Sequence, residues 1–177
     1  MRFTLLYKGR IPSSGSNEQI VGIRTNPYLQ TQLSALHAVT SKHFNSDNRL
    51  IVGSTKFTAI MPIAWVCSAE VVLLRATPHT NISGLPDIDN TLKTLFDAIC
   101  APAGASLAPD AHFEQSCFVV ALEDKQLSSI TVSSDHHWGA KTDEDIAFIR
   151  VTTQETPIDD SVALGGQSFK TIRKYVF

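Results

Sequence analysis

Leu92, Leu95, Phe96 and Ile99 recur at i, i+3, i+4 and i+7, which makes them one face of an amphipathic helix and the clearest periodic signal in the chain. Such a helix cannot stand alone, because its apolar stripe has to be buried against another element. The elements on either side are extended. Before it, Val66 to Thr77 alternates, with Ala69, Val71 and Leu73 on one face and Glu70, Val72 and Leu74 on the other. After it, Ser116 to Leu122 is strongly β-prone and Leu127 to Ser133 alternates again. The polar insert Glu123-Asp-Lys-Gln126 between these two runs reads as a hairpin turn or a bulge.

The rest of the chain supplies further short strands and one more helix. Phe3, Leu5 and Tyr7 alternate as an opening strand, and Pro12 to Asn17 ends it as a loop. Asn26 and Pro27 read as a cap and first helical position, with Leu29, Leu33, Leu36 and Phe44 predicting a helix over about 27 to 44. Leu50 to Thr58 and Ile146 to Thr153 are extended, while Pro78 to Pro86 and Ala101 to Pro109 are loops. Several strands with two separated helices, lacking a βαβα alternation, predict an α+β fold: one domain over residues 1–177, a mixed β-sheet packed against two main helices.

Composition removes several classes. With 43% hydrophobic and 18% charged residues, the chain has the apolar surface that a disordered one lacks. Its longest apolar run, the nine residues Ala59 to Cys67, contains Pro62 and falls short of the roughly 20 that span a bilayer. Met1 to Tyr7 is too short for a signal-peptide core, so we expect a cytoplasmic protein with no membrane partner. Cys67, Cys100 and Cys117, 33 and 17 residues apart, suit neither a disulfide framework nor a zinc site. The net charge of -2 hides an asymmetry: residues 1–60 carry seven basic groups against two acidic ones, a net +5, and the remainder eight against fifteen, a net -7. Lys8, Arg10, Arg24 and Lys56 in the basic third are the candidates for contacting a polyanion such as DNA, with Lys170, Arg173 and Lys174 in the tail.

Phosphate-loop, dinucleotide, α/β-hydrolase and zincin motifs are all missing, and the pair His136-His137 reads as surface loop. What remains is Asp87-Ile-Asp89-Asn90 at the helix entrance, with Lys93 and Asp97 following at spacings of four. One reading is structural: Asp89 or Asn90 caps the helix and Asp89 pairs with Lys93 at i, i+4. The other is chemical. In an extended approach Asp87 and Asp89 point to the same side, and Asp124 in the later polar insert is the candidate third carboxylate. Carboxylates about 5 Å apart repel by roughly 3 kcal/mol at an effective dielectric near 20, so three together imply a cation. Oxygen ligands and a phosphate substrate favour Mg²⁺.

The run Pro86-Asp-Ile-Asp-Asn-Thr-Leu-Lys-Thr-Leu-Phe-Asp-Ala-Ile99 resembles the D-x-D-N-x-x-K-x-x-x-D-A signature of the RusA-like Holliday-junction resolvases, which are small endodeoxyribonucleases. Glu123-Asp-Lys-Gln126 resembles their later D-D-x-Q element. The resemblance implies that Asp87, Asp89 and Asp124 hold Mg²⁺, with Mn²⁺ as a substitute, and that Lys93 assists at the cleaved phosphate. It also implies a homodimer acting on branched DNA. Two departures are Ser83-Gly-Leu-Pro86, neutral where family members often carry basic residues, and Lys125, where a small residue is common. Glu70, near the end of a strand leading toward the site, is a further candidate carboxylate. The alternatives are a non-cutting, nucleic-acid-binding or structural relative and, more weakly, an enzyme acting on a small phosphorylated molecule.

Overall fold

The computed structural model describes residues 1–13, 15–43, 49–62, 64–76, 88–102, 115–136, 144–155, 163–164 and 167–168. In chain order the elements are β1 (Arg2–Gly9), α1 (Asn17–Arg24), α2 (Pro27–Thr40), β2 (Arg49–Val52), β3 (Thr55–Ala59) and β4 (Trp65–Arg75). They continue with α3 (Ile88–Ile99), β5 (Gln115–Val119), a 3-10 turn (Asp124–Gln126), β6 (Leu127–His136), β7 (Asp145–Glu155) and the two-residue strands β8 (Ala163–Leu164) and β9 (Gln167–Ser168). Helices and strands are segregated as an α+β fold requires.

The principal sheet has the order β1-β7-β4-β6, with β1 and β4 antiparallel to β7 and with β4 parallel to β6. Alternation decides its inner face. Phe3, Leu5 and Tyr7 from β1, Ala69, Val71 and Leu73 from β4, and Ala147, Ile149 and Val151 from β7 are all buried. They form one core with Leu29 and Leu33 of α2 and Leu92, Leu95, Phe96 and Ile99 of α3, the stripe that the heptad-like spacing singled out. A second sheet, β2-β3-β5, is a hairpin extended by a parallel strand, and it encloses a smaller core of Leu50, Phe57, Val119 and Leu122. Gly53, at φ 59, turns the hairpin in two residues, a left-handed conformation that glycine adopts without strain.

Four expectations change. The strands of the described residues form a four-stranded and a three-stranded sheet together with the two-stranded pair β8-β9. The loop after β1 holds to Ser16 among the described residues, but a helix that was not expected, α1, follows it, and its start is a capping box: the Gln19 amide donates to Ser16 Oγ (3.4 Å) and the Ser16 amide to Gln19 Oε1 (3.0 Å). The helix predicted to reach residue 44 ends at Thr40. Finally, β5 and β6 are neither a hairpin nor one bulged strand, because they lie in different sheets. The reason is Gln126, which is buried in the 3-10 turn. Its Oε1 accepts from the amides of Leu122 (2.8 Å) and Glu123 (3.2 Å), and its Nε2 donates to the carbonyls of Pro62 and Trp65 (3.0 Å each). The side chain pins the crossing between sheets to the start of β4. The loops Pro78 to Pro86 and Ala101 to Pro109 fall wholly or largely outside the described residues, as does most of the basic tail.

Candidate functional site

α3 is buried almost all round. Thr91, Leu92, Thr94, Leu95, Phe96, Ala98 and Ile99 are inaccessible, while Asp89, Asn90 and Lys93 are exposed and Asp97 is half-buried. Asp89, Lys93 and Asp97, at i, i+4 and i+8, therefore share one side of the helix that reaches solvent, flanked by exposed Asn90 and Ile88. Lys93 rises about 6 Å along the axis from Asp89, one turn away. Asp87 lies outside the described residues.

A buried polar network fixes the start of α3 against the end of the sheet. The Arg75 guanidinium, at the end of β4, donates from Nη1 to Thr91 Oγ1 (3.3 Å) and places Nε 3.6 Å from Asp145 Oδ1. Asp145, at the start of β7, also accepts from the amides of Ala76 (3.3 Å) and Ile11 (3.1 Å). Four segments thus meet at one carboxylate and one guanidinium: the exits of β1 and β4, the entry of β7 and the first turn of α3. The neighbouring Tyr7 hydroxyl, donating to the Arg10 carbonyl at 3.3 Å, has its pKa raised by burial and then by the charges of Asp145 and Glu144. Further along, the loop after β1 lies directly on α3, with the Gly15 amide donating to Thr94 Oγ1 (3.1 Å). A Cβ at residue 15 would sit 2.5 Å from Thr94 Cγ2, so only glycine permits the approach.

Asp124 is not at this site. β6 runs parallel to β4, so the chain returns through α3 in the opposite direction, and the residues before β6 come back to the far end of the helix. There the Val120 amide donates to the Ile99 carbonyl (2.7 Å), the Ala101 amide to Ala121 (3.0 Å), and Cys100 bridges to Ala121. The Cys100 thiol is pushed up to about 12 mainly by burial, with the charges of Cys67, Asp124 and Asp97 adding to it. Asp124 opens the turn directly before β6, whose first residue, Leu127, pairs with Cys67 near the start of β4. From Asp89 to Ile99 the axis rises about 15 Å, whereas the oxygens around one Mg²⁺ lie within about 4 Å of each other. Asp89 and Asp124 of one chain cannot share an ion. Among the described residues no three His, Cys, Asp or Glu side chains gather as metal ligands.

The other expected residues disperse as well. Lys8 and Arg10 are exposed where β1 leaves the sheet, at the same end as Asp89, since Gly9 is paired with Asp145. Lys56 lies on β3 in the second sheet, where its charge and that of Arg49 join burial in lowering the pKa of His37. Arg24 is a correction. It is 7% exposed, and its guanidinium donates to the carbonyls of Ala98 (3.1 Å), Asp97 (2.5 Å) and Cys100 (3.4 Å). It also stacks 5.4 Å from the centre of the Phe57 ring. Arg24 satisfies the open carbonyls and negative end of α3 and is withdrawn from any DNA surface. Glu70 is exposed in mid-strand on β4, 3.0 Å from Arg150, so it is no fourth ligand.

Sequence reasoning missed Arg75 and Asp145, whose only local signal is a charge at the end or start of an apolar strand, and Thr91, an uncharged residue inside α3. No helix among the described residues is long and apolar enough to cross a membrane. Comparison with known protein families, with curated proteins and with solved structures gave no match to this chain.

Proposed function

We propose that the chain is a divalent-cation-dependent endonuclease acting on branched DNA, with its reacting centre at the first turn of α3. One observation carries the reading: in a helix mostly buried, the exposed polar residues are Asp89, Asn90 and Lys93, next to exposed Ile88, and the first turn is anchored by the Arg75–Thr91 and Arg75–Asp145 contacts. A surface that needed only solubility would not require such support.

The donor chemistry suits Mg²⁺ at Asp87 and Asp89, because this ion often takes one or two carboxylates and completes its shell with waters and substrate phosphate. Bound there, it would polarise the phosphodiester and acidify a water. Asp124 has no part at that ion within one chain. Lys93, a turn beyond Asp89, can hold a non-bridging phosphate oxygen and offset the charge that develops in the transition state. Lys8 and Arg10 supply positive charge at the same end of the sheet for the flanking backbone.

A synthetic four-way junction incubated with Mg²⁺ tests this. Asp89→Asn and Lys93→Met should each slow cutting by roughly 100-fold or more, while Asp124→Asn should change it by less than about threefold. Absence of Mg²⁺-dependent cutting on any DNA form, or an Asp124→Asn loss equal to that of Asp89→Asn, overturns the proposal. The second reading, a nucleic-acid-binding relative that does not cut, is favoured by the separation of Asp124 from Asp89. Its signature is salt-sensitive binding that survives Asp89→Asn and is never followed by cleavage.

A further inference from the structure

Asn26 and Gln32 fasten the start of α2 to the outer edge of β1. The Asn26 carboxamide donates from Nδ2 to the Lys8 carbonyl (3.3 Å) and accepts at Oδ1 from the amides of Tyr28 and Leu29 (3.1 Å each). Lys8 and Tyr28 are therefore held on the two ends of one side-chain amide. A turn further on, Gln32 accepts from the Leu6 amide (2.9 Å) and donates to the carbonyls of Leu6 (2.8 Å) and Tyr28 (3.1 Å). Tyr28 and Gln32, at i and i+4, share one side of the helix, so the ring belongs to the side turned toward β1, next to the point where the strand ends.

That tyrosine is 51% exposed. Lys8 and, two residues on, Arg10 are exposed as well, and among the described residues neither cation has an acidic partner. An apolar partner seated here would leave both charges unmatched, and a simple anion would make no use of the ring. A nucleotide uses both, with its base stacked on the aromatic face and its phosphates on the cations.

We propose that Tyr28, Lys8 and Arg10 form a platform for an unpaired base of DNA. This rests on the nucleic-acid part of the function proposed above and deepens it, because it names the feature of branched DNA that is recognised. Bases inside a duplex cover each other's faces, whereas a branch point or a frayed end offers a free face to an aromatic ring. The platform lies at the end of the molecule where α3 begins: Gly9 pairs with Asp145, and Asp145 with Arg75 anchors the first turn of that helix. The Asn26 and Gln32 clamps fix the platform before DNA arrives, so little ordering is left to oppose binding.

Fluorescence anisotropy of a labelled thymidine oligonucleotide of about twelve residues, with EDTA present to prevent cutting, tests the platform. Tyr28→Ala and Tyr28→Leu should each raise Kd roughly 5- to 100-fold, since apolar area alone does not stack, while Tyr28→Phe should stay within about twofold of wild type. Val39→Ala, at a residue 59% exposed about three turns along the same helix, should change nothing. Lys8→Gln and Arg10→Gln should each flatten the slope of log K against log salt by about 0.7, whereas Tyr28→Ala lowers affinity and leaves the slope alone. All these side chains are exposed, so circular dichroism should stay native. A wild type that does not bind the strand overturns the proposal, as does a Tyr28→Ala loss under about twofold, a Tyr28→Phe loss equal to that of Tyr28→Ala, or equal affinity for a blunt duplex of the same length. Binding that needs the Tyr28 ring in a protein that never cuts a junction retires the nuclease and keeps the platform, and junction cutting indifferent to Tyr28→Ala does the reverse.

Discussion

Replacing Asp145 by alanine should be the most damaging single change at the candidate site, although Asp145 belongs to neither acidic motif. In the wild type, Asp145 Oδ1 lies 3.6 Å from Arg75 Nε, and both side chains are 9% exposed. At that separation and an effective dielectric near 20 the attraction is about 5 kcal/mol, most of which offsets the desolvation of the two charges. Removing the carboxylate leaves the Arg75 guanidinium buried without its counter-charge, a loss of about 3 to 5 kcal/mol in comparable pairs. The amides of Ile11 and Ala76 lose their acceptor as well. Urea unfolding with an unchanged m-value should therefore show a loss of about 4 kcal/mol or more, a large part of the 5 to 15 kcal/mol typical of a domain. Arg75→Met should be costly alone yet much less so on the Asp145→Ala background, with a coupling of about 1 to 3 kcal/mol. A loss below about 1 kcal/mol for Asp145→Ala, or strict additivity with Arg75→Met, refutes the idea that this pair anchors α3.

Gly15→Ala should destabilise by about 1 to 3 kcal/mol through its collision with Thr94 Cγ2, and Thr94→Ser, which deletes that methyl and keeps the hydroxyl, should restore part of it in the same urea assay. Arg24→Met should cost about 2 to 4 kcal/mol by stripping three carbonyls of their donor, while the salt dependence of any DNA binding stays unchanged because Arg24 is not at the surface. Burial pushes Cys67 to about 11 and Cys100 to about 12, so in mass spectrometry neither should take up iodoacetamide at neutral pH until the protein is denatured. Because these folded-state values lie above the ordinary thiol value of 9.0, the contribution to stability is intact below 9.0. It falls as pH climbs through the window toward 12, and Cys100→Ser should flatten that alkaline decline.

Local periodicity recovered β1, β4, α3 and β7 because each alternates or repeats against a buried face, and burial on one side is a property that a short stretch of sequence records. The cap of α1 was legible too, since Ser16 and Gln19 are spaced as a capping box, but Pro12, Gly15 and Gly22 dominate the composition there. What local pattern does not record is which ends of the elements meet. Asp124 stands directly before a strand, and nothing within ten residues of it says whether that strand runs with β4 or against it. The same blindness hides Asp145 and Arg75, two charges 70 residues apart that matter only because parallel and antiparallel pairing bring the ends of β4 and β7 together. Arg24 misled for a related reason. A surface arginine and one that closes the end of a distant helix have the same sequence, and only the carbonyls of residues 97, 98 and 100 tell them apart.

The direction of β6 also divides the two acidic motifs by kind. With β4 and β6 parallel and α3 crossing back between them, the first turn of α3 lies beyond the carboxyl ends of both strands, the position where sheets with helical crossovers bind ligands. The Glu123-Asp-Lys-Gln126 element lies at their amino ends, and its buried polar side chain, Gln126, hydrogen-bonds backbone groups of Leu122, Glu123, Pro62 and Trp65 that join the two sheets. Asp124 is exposed beside it. On a rigid, buried helix, a lysine can meet a phosphate at fixed geometry, and a carboxylate can do so only through a bound cation. An aspartate on a short turn, about 15 Å farther down the helix axis, is placed to serve the turn. The first element is where chemistry would be sought, and the second explains why the chain passes from one sheet to the other.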